Sequence, residues 1–115
     1  MSERSPASTV AASSSASWFA LDLGTRNYFA HVDLLGRDPS QRAINCGYVA
    51  GAGENIAAGT VMDTVAKAFE AWRGSPEHNL NMLDGDYKEI GIARAYVPGS
   101  SYNWYWVTDF GMVKD

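Results

Sequence analysis

Two runs of alternating side chains near the end of the chain constrain its fold most strongly. Small residues alternate with larger ones over residues 90–97, and aromatic residues recur at every second position over much of 102–110. The turn-forming sequence Pro98-Gly99-Ser100-Ser101 separates the two runs, so together they predict a β-hairpin. Small residues on one strand face aromatic residues on the other, which suits a sheet with a helix packed on each face.

Helical periodicity and capping residues predict helices before the hairpin. They cover residues 9–26, residues 41–46 between a Ser40 cap and Gly47, the stretch from a Thr60 cap to Gly74, and a stretch begun by Ser75 and Pro76. Helices followed by a hairpin predict an α+β fold, a three-layer α-β-α sandwich. We expect a disordered tail over residues 1–8 and a single domain over residues 9–115.

The composition narrows the classes of function. The net charge is −4 and the nine Lys and Arg residues are scattered, which argues against nucleic-acid binding. No stretch approaches the roughly 18 apolar residues of a transmembrane segment. Cys46 is the only cysteine, so it forms no intrachain disulfide and is expected to pack as a small buried residue. The first residues, MSERSPASTVAASSSAS, lack the apolar core of a signal peptide.

The pair Gly51 and Gly53 resembles the beginning of a dinucleotide-binding loop. The third glycine of that fingerprint would fall at position 56, which is isoleucine, and no long strand is predicted before it. The glycines are therefore expected to let the backbone turn tightly beside Glu54.

Five short segments, in this order and spacing, resemble the CAP superfamily, the SCP-like domain of cysteine-rich secretory, antigen 5 and pathogenesis-related-1 proteins. They are Tyr28-Phe29-Ala30-His31, Gly53-Glu54-Asn55-Ile56-Ala57, residues 71–83 (AWRGSPEHNLNML), Glu89-Ile90-Gly91-Ile92 and residues 106–111 (WVTDFG). The likeness is strongest to the bacterial branch that lacks cysteines. It implies an α-β-α sandwich located outside the cell or in the cell envelope.

The resemblance also implies a ligand cleft. Carried over from the family, its residues are His31, Glu54 and His78, and Ser75, Asn79 and Glu89 are further candidates beside them. Many relatives carry a glutamate three residues beyond the tryptophan that Trp72 matches, whereas this chain has Ser75 there, so the acidic set is incomplete.

The chain also lacks the family's first helix, so the domain is expected to be N-terminally shortened. Loss of a helix that covers one sheet face would expose on the order of several hundred Å² of apolar surface, and this predicts self-association.

The candidate residues allow several kinds of chemistry. Two imidazoles, His31 and His78, with the Glu54 carboxylate could fill three positions of a zinc site and leave the fourth to an activated water. Alternatively, Glu54 hydrogen-bonds a histidine, raises its pKa and holds the surrounding loops. A glycosidase would need Glu54 and Glu89 about 5 to 9.5 Å apart. A serine nucleophile is disfavoured, since Ser75 before Pro76 suits a helix cap.

The sequence therefore predicts a non-catalytic extracellular binding module with a cleft for a ligand or a divalent metal. No cofactor is required, and zinc is the candidate metal at His31 and His78. The partner would be a small molecule, a lipid, a glycan or an envelope protein. The alternative is a metal-dependent hydrolase that uses Glu54 in the same cleft.

Overall fold

The computed structural model describes residues 6–48 and 51–112 of the chain, with side chains from residue 11 onward. In chain order the elements are α1 (Pro6–Thr25), α2 (Pro39–Asn45), β1 (Ala52–Gly59), α3 (Val65–Arg73), α4 (Pro76–Leu83), β2 (Glu89–Tyr96) and β3 (Trp104–Gly111). The predicted tail falls partly outside the described residues, and residues 6–8 belong to α1, which begins three residues earlier than expected.

The three strands form one antiparallel sheet in the order β1-β3-β2. The predicted hairpin is confirmed, since β2 pairs with β3 along its whole length from Glu89–Gly111 to Tyr96–Trp104. The central strand β3 is buried at nearly every position. A strand is buried on both sides of its pleat only when both faces of its sheet are covered, so the central strand forms the core of the domain.

Helices cover both faces of this sheet, which confirms the α+β class and the sandwich. On one face α1 packs into a cluster made of Ala16, Phe19, Ala20, Leu23, Ile56, Ala95, Tyr105 and Val107. On the other face α3 supplies Ala68 and Trp72, which pack with Ala57 and Trp106. The indole of Trp72 also donates a 3.0 Å hydrogen bond to the Ile56 carbonyl, which fixes α3 to β1.

The sequence analysis was wrong about the chain around Gly53. Instead of a tight turn beside Glu54, residues 52–59 form β1, which pairs with β3 from Ala52 to Gly59. A side chain at Gly53 would collide with the Tyr87 hydroxyl. The glycine is therefore needed for the close approach of an aromatic ring to a strand, and not for a turn.

Two helix starts also differ from the prediction. Helix α3 begins after Thr64, whose hydroxyl accepts from the Lys67 amide at 3.3 Å, and not after Thr60. Helix α2 is capped by Asp38, which accepts from the Gln41 amide at 2.8 Å. The Ser40 hydroxyl bonds instead to the backbone of β1. Cys46, expected to be buried, is exposed at the end of α2.

One part of the second sheet face is left apolar and open. Ile90 is 54% exposed and Ile92 46% exposed on β2. Between this strand and α3 lies an apolar groove of about 260 Å³, lined by Val65, Phe69, Trp72, Met82, Ile90, Ile92, Thr108 and Phe110. Ile90 and Ile92 thus form an exposed apolar surface on this face, while the loss of a covering helix and self-association stay predictions.

Among residues 6–48 and 51–112, no helix is both long and apolar enough to cross a membrane.

The packing of α1 against the sheet at Gly91 can be tested by substitution. A side chain at Gly91 would collide with the backbone of Ala12 and Ser13 in α1. We expect Gly91→Ala to lower the free energy of unfolding by about 1–3 kcal/mol, because overpacking forces backbone shifts. Urea denaturation measures this loss.

Gly85→Ala is the matched control, since nothing lies within 4 Å of its added carbon. It should change stability by no more than about 0.5 kcal/mol. Equal effects of the two substitutions would contradict this account of helix packing.

Candidate functional site

His31 and Glu54 are brought together in the fold, although 23 residues separate them. The Nδ1 atom of His31 lies 3.1 Å from Oε1 of Glu54. The His31 side chain is 50% exposed, whereas the Glu54 side chain is 1% exposed. The imidazole therefore forms the solvent-facing part of the pair, and the carboxylate lies behind it.

Hydrogen bonds within the loop between α1 and α2 hold His31 in position. Asn27 adopts a left-handed φ of 56°, which asparagine tolerates, and turns the chain out of α1. The Tyr28 hydroxyl donates to Asp22 at 2.5 Å. Further along, Asp33 accepts from two backbone amides and from the Arg37 side chain at 2.7 to 2.9 Å. These contacts give the loop a fixed path past β1.

Arg42 connects this loop to Glu54. Its Nη2 atom lies 2.6 Å from Oε2 of Glu54, and both side chains are 1% exposed. Its Nη1 atom donates to the carbonyls of His31 and Arg37 at 2.7 and 2.9 Å, and its guanidinium carbon lies 3.5 Å from the centre of the Phe19 ring. The sequence analysis missed Arg42, because an arginine on a seven-residue helix shows no periodicity that marks it as buried.

Asp109 completes the buried cluster, and it was missed as a site residue too. It pairs with Glu54 across β1 and β3, so both side chains project toward α1. It is fully buried. The strand alternation contained a signal, since Asp109 has the same parity as the core residues Tyr105 and Val107. A charged residue at a core position suggests a paired or protonated group.

Burial raises the pKa of both carboxyl groups, and repulsion from Glu54 raises that of Asp109 further. Desolvation, a hydrogen bond with Glu54 and its negative charge raise the pKa of Asp109 to about 9, while the Ser15 hydroxyl and Arg42 act in the opposite direction. Burial also raises the pKa of Glu54, although Asp109 and Arg42 offset part of this effect. The hydrogen bond between the two groups raises the pKa of Asp109 and lowers that of Glu54, so it favours a proton on Asp109 over one on Glu54.

The pKa of His31 moves in the direction opposite to that expected. Burial and the positive charge of Arg42 lower it, and Asp109 only partly compensates. The carboxylate that was expected to raise the pKa is already neutralised by Arg42. A neutral imidazole whose Nδ1–H donates to Glu54 leaves a lone pair on Nε2.

His78 forms a separate pair on α4. Its Nδ1 atom lies 2.8 Å from the Ser75 hydroxyl. Ser75 occupies the predicted N-cap position but makes no side-chain cap hydrogen bond there. The hydroxyl that was expected to cap the helix therefore contacts the imidazole. Asn79 follows His78 in the helix and is half-buried.

Two asparagines fix α4 to β1. Asn55 donates to the His78 carbonyl at 3.0 Å. Asn81 donates to the Asn55 side chain at 3.0 Å and to the Glu54 carbonyl at 3.3 Å. Because Asn55 follows Glu54 in the strand, its side chain points to the opposite sheet face. These contacts position His78 from the face opposite the buried cluster, and Asn55 was not among the predicted site residues.

Glu89 lies apart from the cluster. It is buried at the start of β2, opposite Gly111, whereas the neighbour of Glu54 in the sheet is Asp109. The central strand β3 separates Glu54 from Glu89. The structure thus brings His31 to Glu54 and Ser75 to His78. Within the part of the chain that it describes, no group of three or more His, Cys, Asp or Glu is arranged to hold a metal ion.

The buried ion pair gives a test by substitution. Arg42→Met should lower the free energy of unfolding by about 3–5 kcal/mol, because it leaves the Glu54 carboxylate buried without its cation. The double variant Arg42→Met/Glu54→Leu should recover much of this loss, since no charge is then left unpaired. Chemical denaturation of both variants measures the difference.

Arg73→Met is the matched control, because Arg73 pairs with Glu70 while both side chains are about 60% exposed. It should cost no more than about 1 kcal/mol. A loss of that size for Arg42→Met would show that the buried pair contributes little.

Comparison with solved structures finds the same fold in bacterial surface and extracellular proteins. The chain is similar to an outer surface protein from Borrelia burgdorferi, with 24% identity and a TM-score of 0.78 over 91% of this chain and 75% of that one. It is also similar to an extracellular protein containing an SCP domain from Bacillus anthracis strain Ames, with 22% identity and a TM-score of 0.75 over 90% of this chain and 32% of that one. At these identities the likeness shows the fold alone.

The comparison with curated protein sequences found no significant match. The family described as the cysteine-rich secretory protein family, CAP, matches residues 5–110. The match spans nearly the whole chain and agrees with the sandwich seen in the structure, and the chain therefore belongs to the CAP family.

Proposed function

We propose that this protein is an extracellular CAP binding module, and that its ligand contacts the imidazoles of His31 and His78. The observation that carries the proposal is the half-exposed His31 side chain, whose inner nitrogen contacts the buried Glu54 carboxylate. A histidine held in this way keeps a fixed tautomer and ring orientation. Its outer nitrogen, Nε2, can then accept a hydrogen bond or bind a cation.

We extend the proposal to a divalent metal such as zinc, bound by these two imidazoles. Each has its Nδ1 atom engaged by the protein, His31 by Glu54 and His78 by Ser75. Metal-binding histidines commonly donate their second ring N–H to a carboxylate. Glu54 would then act behind His31 and not as a ligand itself, so water or the bound molecule would supply the remaining ligands.

The hydrolase alternative is less well supported by the geometry. A general base must come within hydrogen-bonding distance of the proton that it removes. The Glu54 side chain is buried, and its two oxygens are engaged by His31 and Arg42. Glu54 would have to leave both partners to act as a base, which favours a binding role.

The proposed location and partners rest on the relatives. One is described as an outer surface protein and the other as extracellular, and we extend that location to this chain. The partner would be a small molecule, a lipid, a glycan or an envelope protein. Self-association would use the open apolar face of β2.

Calorimetric titration of zinc into metal-stripped protein tests the proposal. We expect binding in the wild type that is lost in His31→Ala/His78→Ala. Glu54→Gln should weaken zinc binding by about 10- to 100-fold, as loss of a group behind a metal ligand commonly does. Circular dichroism of each variant establishes that it is folded.

Gln41→Ala is a suitable control, because Gln41 is exposed on α2 and bonds only locally to Asn45 through its side chain among the contacts described. It should bind zinc as the wild type does. Zinc binding that survives the loss of both histidines, or no binding by folded wild type, would overturn the proposed metal site.

A further inference from the structure

We infer that Asp109 is a positioning residue: its carboxyl group carries a proton in the folded protein, donates it in a hydrogen bond to Glu54, and so holds the Glu54 carboxylate behind His31. The inference deepens the proposed function and rests on it where the ligand is concerned. The arrangement of hydrogen-bond donors and acceptors around Glu54 can be tested without any ligand.

The two carboxyl groups lie next to each other in the sheet. Glu54 and Asp109 are directly paired residues of neighbouring antiparallel strands on the face covered by α1. Side chains so paired have Cβ atoms about 4.5–5.5 Å apart. Both are buried, so the two groups face each other away from bulk solvent.

The two carboxyl groups differ in their hydrogen-bond partners. One oxygen of Glu54 contacts Nδ1 of His31 and the other contacts Arg42. In contrast, neither oxygen of Asp109 receives an N–H donor from residues 6–48 or 51–112. As an ionised group Asp109 would be a buried charge without a cation of its own. As an acid it has an O–H to donate and an acceptor beside it.

The balance of charge around the two carboxyl groups favours one proton on the pair. The groups that act on Asp109 are Ser15 from α1, Arg42 from α2 and Glu54 from β1. In its ionised form Asp109 would in turn act on His31 and Cys46. Arg42 is the single permanent cation in this set. Two ionised carboxylates would leave a net negative charge in a dry interior, which is strongly unfavourable. One proton on the pair restores neutrality.

The consequence for His31 follows from the geometry of Glu54. The carboxylate accepts from three groups, which are Arg42, His31 and protonated Asp109. A carboxylate held from three sides keeps its oxygen at Nδ1 of His31, which keeps the hydrogen on Nδ1 and the lone pair on Nε2. Loss of the donor at position 109 would release one of these constraints.

Infrared spectroscopy and nitrogen NMR of the ligand-free protein test the inference directly. At pH 7 the wild type should show the C=O band of a protonated carboxylic acid, and Asp109→Asn should remove it. Ring ¹⁵N shifts should show hydrogen on Nδ1 of His31 in both proteins, since the asparagine amide can also donate to Glu54. In Asp109→Leu, which has no donor, a mixture of His31 tautomers is expected.

Thr108→Val is the matched control, because Thr108 is equally buried on the same strand but points to the other face. It should alter neither the acid band nor the tautomer. Absence of the acid band in the wild type, or its survival in Asp109→Asn, would overturn the inference. An unchanged His31 tautomer in a folded Asp109→Leu protein would overturn the positioning role, and if that variant fails to fold the infrared result decides.

Zinc titration of the same variants links the inference to the proposed function. Asp109→Leu should weaken zinc binding by roughly tenfold, and Asp109→Asn should restore it. If wild type shows the acid band but binds no zinc, the proposed metal site fails while the role of Asp109 stands. If zinc binds but the acid band is absent, the proposed metal site stands while the role of Asp109 fails.

Discussion

In the cluster beneath α1, one buried cation, Arg42, serves two buried carboxyl groups, Glu54 and Asp109, and the position of His31 depends on that imbalance. Arg42 contacts Glu54, the loop that carries His31, and the ring of Phe19. Burying an ion pair costs desolvation energy that is regained only when geometry and hydrogen bonding are good. The second carboxyl group, Asp109, fits only with a proton.

Helix α1 creates the environment that this arrangement needs. The close approach of α1 to the sheet depends on Gly91, because this glycine has no side chain that would collide with the backbone of α1. Two fully buried residues of α1 cover this cluster, since Ser15 acts on Asp109 and Phe19 packs against Arg42. The contact that completes the core also removes water from the carboxyl groups, so packing of the helix and protonation of Asp109 have a common cause. His31, at the edge of this region, connects the buried cluster to the surface.

The sequence predicted those parts of the fold that rest on periodicity. Alternation revealed the hairpin and capping residues revealed α4, because these patterns arise from local geometry. Strand β1 was missed since its glycines and alanines give weak strand preference, and its partner β3 lies about fifty residues further along the chain. Local preference could not decide between Thr60 and Thr64 as the cap of α3.

The candidate site was predictable only in part. His31 and Glu54 were identified through a family resemblance, since nothing local brings together residues so far apart in the chain. Arg42 could not be found, because a buried arginine is indistinguishable in sequence from an exposed one. Asp109 could have been found, since its parity places it among core residues. A charged residue at a core position indicates a candidate site, because a buried charge must be paired, hydrogen-bonded or neutralised.

The dependence of stability on pH tests the shared proton most directly. The ordinary pKa of an aspartate, 3.8, applies to Asp109 in the unfolded chain, and the folded pKa is about 9. Its contribution is therefore fully present below pH 3.8 and is lost as the pH rises toward 9, because only the unfolded chain releases the proton in that range. The lowered pKa of His31 acts in the opposite direction near neutral pH, but its main causes, burial and the charge of Arg42, are present in both wild type and Asp109→Asn. The free energy of unfolding of wild type, measured relative to Asp109→Asn, should fall by about 1.4 kcal/mol per pH unit between about pH 5 and 8. A difference that stays constant over that range, or rises with pH, would contradict a protonated Asp109 at the centre of the fold.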